Sequence, residues 1–257
     1  MELAPSEPEL VADAIADALD HGMTRLVIAG GDGLIHHALP ALAGTEVVVG
    51  IVPVGTGNDF ARGLGLPTRI KPAVAAALAP PVPVDLIAIA ACGMRWAASV
   101  VTGGFSGQVN ARANRLRFPP GQQRYTVATL LELNQLQPVE LELDIDGTVH
   151  QLTSSLFAIA NSRFFGGGMA ICPEAVPTDG LLDVTVVGPT SRRVMAMMLP
   201  TVFSGRHITH PAVTTYRGEQ VKVTVDTDLW ADGEPITGCS FTAAPGALNV
   251  AGSLVAS

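Results

Sequence analysis

Cysteine is scarce. Only Cys92, Cys172 and Cys239 occur in 257 residues, far apart and without the spacing of a metal site. Their odd count and scatter fit reduced thiols in a cytosolic protein. Charge is thin as well: 15% of residues are charged and the formal net charge is −8. That sign argues against a general nucleic-acid binder, which needs a positive surface, though not against a local basic patch meeting a membrane. No long apolar run is present. The longest, Leu86 to Val101, is broken by Cys92-Gly93-Met94-Arg95 and reads as a hairpin, whereas a membrane span needs about 20 mostly apolar residues. The opening residues are acidic and helical in pattern, so no signal peptide is expected and any membrane contact is peripheral. There is no repeat or low-complexity tract. The 48% hydrophobic content belongs to a globular chain long enough to bury a real core.

Glycine, by contrast, is concentrated. Gly30-Gly31-Asp32-Gly33 follows the apolar run Arg25 to Ala29, and Pro53-Val54-Gly55-Thr56-Gly57-Asn58-Asp59-Phe60 follows Val47 to Val52. A strand, a glycine loop and a helix N-terminus together form an anion site, because unpaired N–H groups and the helix dipole favour negative charge there. Two such loops on neighbouring strands, one carrying an aspartate, point to a polyphosphate with its metal.

The first half alternates helix and strand. Ser6 and Glu9 form a capping-box pattern with Pro8 in the first turn, and Leu10 to Leu19 keep helical spacing. Strands are expected over 26–29 and 47–52, and helices over about 34–42, 59–64 and 70–78. This order implies parallel strands in a doubly wound layer, with ligands beyond the carboxyl ends of the strands. After Ala79-Pro80-Pro81-Val82-Pro83 short strands dominate: 84–90, 96–102, 139–145, 149–152, 156–160, 182–187, 221–225 and 240–243. Asp146-Gly147 marks a hairpin, and helices are expected over 125–136 and 192–203. The reading is an α/β nucleotide domain over 1–83 and a mostly antiparallel β-rich domain over 84–257, whose last residues return to the first domain.

With these motifs in view, the chain resembles the bacterial diacylglycerol kinases and related lipid kinases, a superfamily that includes sphingosine and ceramide kinases. The stretch Pro53 to Arg62 matches the family's second nucleotide loop throughout. Asn161, Phe165-Gly166-Gly167-Gly168, Pro173, Ala175 and Asp179-Gly180-Leu181-Leu182-Asp183-Val184 follow, then the late acidic motif Asp232-Gly233-Glu234. The resemblance covers most of the chain. It implies a phosphofructokinase-type nucleotide domain, a β-rich lipid-substrate domain and a site between them. There are two departures. The family's first loop carries threonine after glycine-glycine-aspartate-glycine, then asparagine and glutamate; here Leu34, His36 and His37 stand there. Family members also open with a strand and an asparagine-proline-serine-glycine type loop, so the nucleotide domain is expected to be incomplete at its N-terminus.

The resemblance implies ATP and Mg²⁺ as cosubstrate and metal, a lipid alcohol at the membrane surface as acceptor, and a cytoplasmic protein peripheral to the inner face. A homo-oligomer stays open. Gly30, Gly31, Asp32, Gly33, Gly55, Thr56, Gly57 and Asn58 are the expected nucleotide-binding residues, with Asp32 on the metal side unless it merely bonds its own turn. Asn58 is read both as a ligand and as a helix cap. Arg62 either reaches phosphate or lies on a solvated face. Asp232 and Glu234, at alternate strand positions, would point the same way. The resemblance makes them the catalytic acids, Glu234 first as proton acceptor, while the plain alternative is a hairpin turn. It also implies a structural magnesium held by Asp179 and backbone oxygens near Val176 and Leu181. Gly166-Gly167-Gly168 suggests close approach by substrate or backbone. His36 and His37 read as helix-surface residues, Met195 to Val202 as core packing, and the strip Arg112, Arg115, Arg117, Arg124 as either a solvated face or a headgroup contact. Two rival readings remain at this point: an NAD-kinase-like enzyme, and a non-catalytic nucleotide- or lipid-binding remnant of the same fold.

Overall fold

The computed structural model describes residues 2–3, 5, 7–91, 93–116 and 122–252, with the backbone alone at Ala91, Gly93, Met94, Asn110, Asn114, Gln122 and Arg124. Ser6, Cys92 and Arg117 lie outside these residues, and the expected Ser6 cap with them.

A 3-10 turn at Pro8–Leu10 leads into α1 (Val11–Asp20), which buries Val11, Ile15 and Ala18 on one stripe. β1 (Arg25–Gly30) and β2 (Val48–Pro53) pair in parallel, Arg25 opposite Val48 through Gly30 opposite Pro53, and α2 (Asp32–Leu42) connects them. Ile15, Ile35, Leu39 and Leu42 pack with Ile28, Val49 and Ile51, so α1 and α2 cover one face. Two helices follow, α3 (Asp59–Gly63) and α4 (Ile70–Ala77). α4 covers the other face, with Ala73 and Ala77 against Val52. Helices on both faces of parallel strands make the doubly wound layer.

The chain then runs through β3 (Pro81–Ala91), β4 (Gly93–Ala97), β5 (Val100–Gly104), α5 (Phe105–Arg115), α6 (Gln122–Glu132) and a 3-10 turn, Leu133–Gln135. β6 (Val139–Ile145), β7 (Thr148–Ser154), β8 (Leu156–Ala160), β9 (Phe164–Phe165), β10 (Met169–Ala170) and β11 (Leu182–Val187) come next. α7 (Arg192–Val202) precedes β12 (Val213–Gly218), β13 (Gln220–Val225), β14 (Leu229–Ala231), β15 (Glu234–Ile236) and β16 (Ser240–Ala251).

Eight strands form one sheet in the order β1-β2-β16-β13-β6-β7, with β3 on β16 and β4 on β3. A six-stranded antiparallel sheet runs β12-β11-β8-β5-β14-β15. β16 joins the two halves of the chain. It lies parallel to β2, Asn249 opposite Val48, and antiparallel to β3 from Ser240 opposite Ala90 to Ala251 opposite Pro81, with a bulge between Ala244 and Leu248. The expected division between residues 83 and 84 falls inside β3. Ile87, Leu143, Val221 and Phe241 of the large sheet meet Val101, Phe157, Ile159 and Val184 of the small one in a shared core.

Several elements depart from the sequence reading, β9, β10 and β12 being strands that were not expected. The strand expected over 96–102 is two strands, because the chain bends at Ala98-Ser99 and passes from the large sheet into the small one. α5 was not expected; it buries Phe105, Val109 and Ala113 at spacing of four, a pattern diluted by Gly107, Asn110 and Asn114. β16 runs well past residue 243, carried through Pro245 and Gly246 by its bulge.

Candidate active site

Both glycine loops leave the carboxyl edge of the parallel pair and meet each other. A Cβ on Gly55 would lie 2.5 Å from Cα of Gly31, and one on Gly31 would lie 3.0 Å from Cα of Gly55. These two glycines are therefore required by backbone contact between the loops. Gly33 differs: nothing lies within 4 Å of a Cβ built there, and it faces an open cleft. Gly31 is the extended N-cap of α2 and offers no side chain to its amides, so that helix N-terminus opens on the cleft.

Asp32 reaches beyond its own turn. Its Oδ1 accepts the Phe60 N–H at 3.0 Å, tying the first loop to the start of α3. Burial raises its pKa, against the Phe60 N–H, which favours the charged form. Asn58 stands at the N-cap of α3 but does not cap it. In the left-handed conformation (φ 54°), its amide closes the loop on Gly55, accepting from Gly55 N at 3.0 Å and donating to Gly55 O at 2.8 Å. Thr56 is exposed and lines the cleft. Arg62 is exposed, reaches Gly57 O at 3.4 Å and lies 6.0 Å from the Phe164 ring centre.

Asp59, quoted above only within a motif, is a site residue that sequence reasoning missed. It is buried, and its Oδ2 accepts the Gly167 N–H at 2.7 Å, so the second loop is joined to the glycine triplet from the other half of the chain. Gly166, Gly167 and Gly168 all have positive φ (61°, 86° and 104°), which accounts for the run of glycines. Oδ1 of Asp59 has no hydrogen-bond partner. Burial, with the charge of Asp32 adding to it, pushes its pKa up to about 6.

The late acids come to the same cleft but do different things. Asp232 is in a turn between β14 and β15 at φ 51°, not on a strand, so the alternation argument fails there. Its carboxylate accepts three amides, Ala98 N at 2.6 Å, Ser99 N at 2.9 Å and Val100 N at 3.1 Å, all from the bend where the chain changes sheets. Glu234, at the start of β15, is exposed on the cleft wall. His36 is a second correction. It is not a surface residue: it is largely buried, with Nδ1 3.5 Å from Oδ2 of Asp232.

The cleft has a volume of about 360 Å³, and Gly31, Asp32, Gly33, Gly55, Thr56 and Gly57 line one wall. Ser99, Val100, Thr102, Asp232, Gly233 and Glu234 line the cleft too, with Tyr125, Phe164 and Phe165.

Comparison with known proteins agrees with this arrangement. Residues 1–89 match the diacylglycerol kinase catalytic domain, and residues 99–252 match the YegS C-terminal NAD kinase beta sandwich-like domain. A diacylglycerol kinase of Mycobacterium tuberculosis is 39% identical over 248 residues, covering 92% of this chain and 79% of its own length. The chain belongs to the diacylglycerol kinase and YegS-like lipid kinase family. It is a kinase. A "Probable lipid kinase YegS-like" of Stenotrophomonas maltophilia is 31% identical, over 88% of this chain and 77% of the relative. Among solved structures, a diacylglycerol kinase from Bacillus anthracis superposes with a TM-score of 0.73 at 17% identity, covering 99% of this chain and 84% of that one. An NAD kinase from Archaeoglobus fulgidus in complex with ATP gives 0.54 at 14%, covering 98% and 82%. Both likenesses concern the fold alone.

The expected magnesium ligands lie away from the cleft lining, and the oxygens of Asp179 and Val176 have partners. Asp179 Oδ1 accepts the Leu181 N–H at 3.1 Å, and Oδ2 lies 3.4 Å from the Arg217 guanidinium. The Val176 carbonyl accepts the Thr178 N–H at 2.8 Å and the Asp179 N–H at 3.4 Å. Arg217 also pairs with Asp183 at 3.2 Å and bonds Glu174 O at 3.2 Å. Asp179 is thus paired with a guanidinium in this structure, and no group of three or more His, Cys, Asp or Glu side chains that could hold a metal occurs among the described residues. Asn161 is structural: its Nδ2 donates to Asp85 O at 2.7 Å and Ala98 O at 3.1 Å. Cys172 is buried with its thiol pushed up to about 12 by burial, which leaves it inert.

Proposed function

We propose that this kinase transfers the γ-phosphate of ATP to the hydroxyl of a lipid alcohol such as diacylglycerol, with Mg²⁺. One observation carries the reading: the amide-rich glycine loops and an exposed carboxylate, Glu234, line one and the same cleft. Phosphates would lie on the first-turn amides of α2 beside Gly33, with Thr56 within the same wall. The unpartnered Oδ1 of Asp59 and the neighbouring Asp32 fit a divalent cation at the phosphates. That ion would supply charge neutralisation. Glu234 takes the proton of the acceptor hydroxyl as its oxygen bonds the γ-phosphorus and the bond to the bridging oxygen of ADP breaks. Asp232 holds the bend at Ala98-Ser99 and so fixes the cleft lining at Ser99 and Val100.

A lipid acceptor is supported by a second, apolar cavity that borders the cleft at Phe165 and is walled by Phe105, Val109, Leu156, Met195 and Met198. Its lining is apolar and its volume is about 50 Å³, which admits a short stretch of hydrocarbon and not a dinucleotide. No helix among the described residues is long and apolar enough to cross a membrane, so the enzyme would meet its substrate peripherally, at the inner face of the membrane. Phosphate transfer from labelled ATP to diacylglycerol in mixed micelles tests the reading, with NAD as the competing acceptor. Transfer to NAD alone would overturn it.

A further inference from the structure

The charges of this chain are unevenly placed. Residues 105–136 and 191–206 hold seven of the 15 Lys and Arg residues and one of the 23 Asp and Glu residues, within a chain of net charge −8. The described residues of these segments include α5, α6 with the 3-10 turn Leu133–Gln135, and α7, while Arg117 lies outside the described residues. They form one layer: Val109 and Ala113 of α5, Ala128 of α6, and Met195 and Met198 of α7 share one buried cluster. Arg192 at the start of α7 donates to Asn134 O at 2.7 Å, fastening it to the turn after α6. The acid in the layer, Glu132, is taken up by Arg112. Arg115 and Arg193 are exposed and have no ion pair or hydrogen bond to a described residue.

The same helices expose apolar side chains. Leu130 and Leu131 of α6 are 49% and 52% exposed, and Met197 of α7 is 69% exposed. Leu130 and Met197 are adjacent in sequence to buried residues that wall the small apolar cavity, Thr129 and Met198 respectively. Free arginines beside exposed Leu and Met suit one partner, a bilayer bearing anionic headgroups. Basic groups gain from the surface potential while apolar tips enter the interface. α4 is the comparison: it exposes Ile70, Val74 and Leu78 next to the exposed Arg69 and Lys71, but it contributes no residue to the apolar cavity.

We propose that the outer face of the α5–α6–α7 layer is the membrane-docking surface of this kinase, and that its partner is an anionic phospholipid bilayer. The proposal rests on the lipid-kinase reading for its purpose and on charge and exposure for its location. Docking would set the small apolar cavity, and the cleft it borders at Phe165, near the interface where a lipid hydroxyl is presented.

The test is co-sedimentation of the full chain with phosphatidylglycerol–phosphatidylcholine vesicles and with pure phosphatidylcholine vesicles. Binding is expected to the first set, and to fall as ionic strength rises. Arg115→Glu combined with Arg193→Glu should reduce it about tenfold or more, since each basic group near such a surface is worth about 1 kcal/mol. Met197→Asp should also reduce it, and Val74→Asp on α4 should not. Phosphorylation of short-chain diacylglycerol, dispersed as monomers, should be unchanged in the double variant, while activity on vesicle-embedded diacylglycerol falls with binding. Equal binding to both vesicle types, or loss through Val74→Asp alone, overturns the docking surface. Normal vesicle binding with no lipid phosphorylated would instead overturn the substrate reading and leave the surface standing.

Discussion

Nδ1 of His36 lies 3.5 Å from Oδ2 of Asp232, joining α2 of the nucleotide-binding layer to the turn that carries the late acids. Their side chains are 18% and 4% exposed. The alignment falls short of a hydrogen bond, and the attraction is that of an ion pair. Burial works against a charged imidazole here, but Asp232 and then Glu234 outweigh it, with Arg95 opposing, and the pKa is raised above 6.5. A raised histidine stabilises the folded state fully below its unfolded pKa and loses that contribution as pH rises through the folded value. His36→Gln should therefore cost stability below about pH 6.5 and progressively less above the raised pKa. Urea unfolding of both proteins across that window checks this; a pH-independent difference would remove the ion pair.

Asp232 and Glu234 separate by role. Glu234 is exposed, so Glu234→Gln should leave the melting temperature unchanged while turnover falls by about 10² to 10⁴, the range for a lost general base. Asp232→Ala would strand the amides of Ala98, Ser99 and Val100, and should cost about 3 kcal/mol or more in stability besides activity. Thermal unfolding alongside steady-state kinetics distinguishes them. Equal destabilisation by both changes would refute the division of labour.

Asp59 bears a cost for its position. With its pKa near 6 against an ordinary 3.8, its charged form is disfavoured in the folded state. A shift of about two units corresponds to about 3 kcal/mol as an upper figure. The sign follows from proton uptake: the folded state binds the proton more tightly, so stability rises as pH falls through about 6 towards 3.8. Asp59→Asn can still accept the Gly167 N–H and removes the buried charge. It should be more stable than the wild type above pH 6, with the gap closing below, and it should bind Mg-ATP more weakly. Denaturant titrations over this range, with calorimetric ATP binding, test both halves.

The sequence made the two loops, their order and the late acids readable, because glycine is restricted to few backbone roles and the motifs are contiguous. Gly31 and Gly55 illustrate the limit. Their residue type is legible, yet the reason for it, contact between the loops, is a tertiary fact. Asp232 was legible as important but not as a clamp on three amides, since those amides lie more than 130 residues away. His36 was misread because helix periodicity cannot reveal a carboxylate arriving from the far end of the chain. Asp179 was read as a cation ligand from its loop setting and the resemblance, and Arg217, which meets it, belongs to no motif.

Gly33 offers the cleanest separation of fold from binding. It lies in the first turn of α2, and a Cβ there meets no atom within 4 Å. Gly33→Ala should therefore keep or slightly raise stability, by up to about 1 kcal/mol, since alanine is the better helix residue. The added methyl would stand where phosphate oxygens are expected, so ATP affinity should drop. Gly55→Ala is the opposite case: its Cβ would sit 2.5 Å from the Gly31 backbone, and the loops must part. It should lose stability and ATP binding together. Measuring both quantities for both variants locates the phosphates. If Gly33→Ala binds ATP as tightly as the wild type, the triphosphate does not lie on the start of α2.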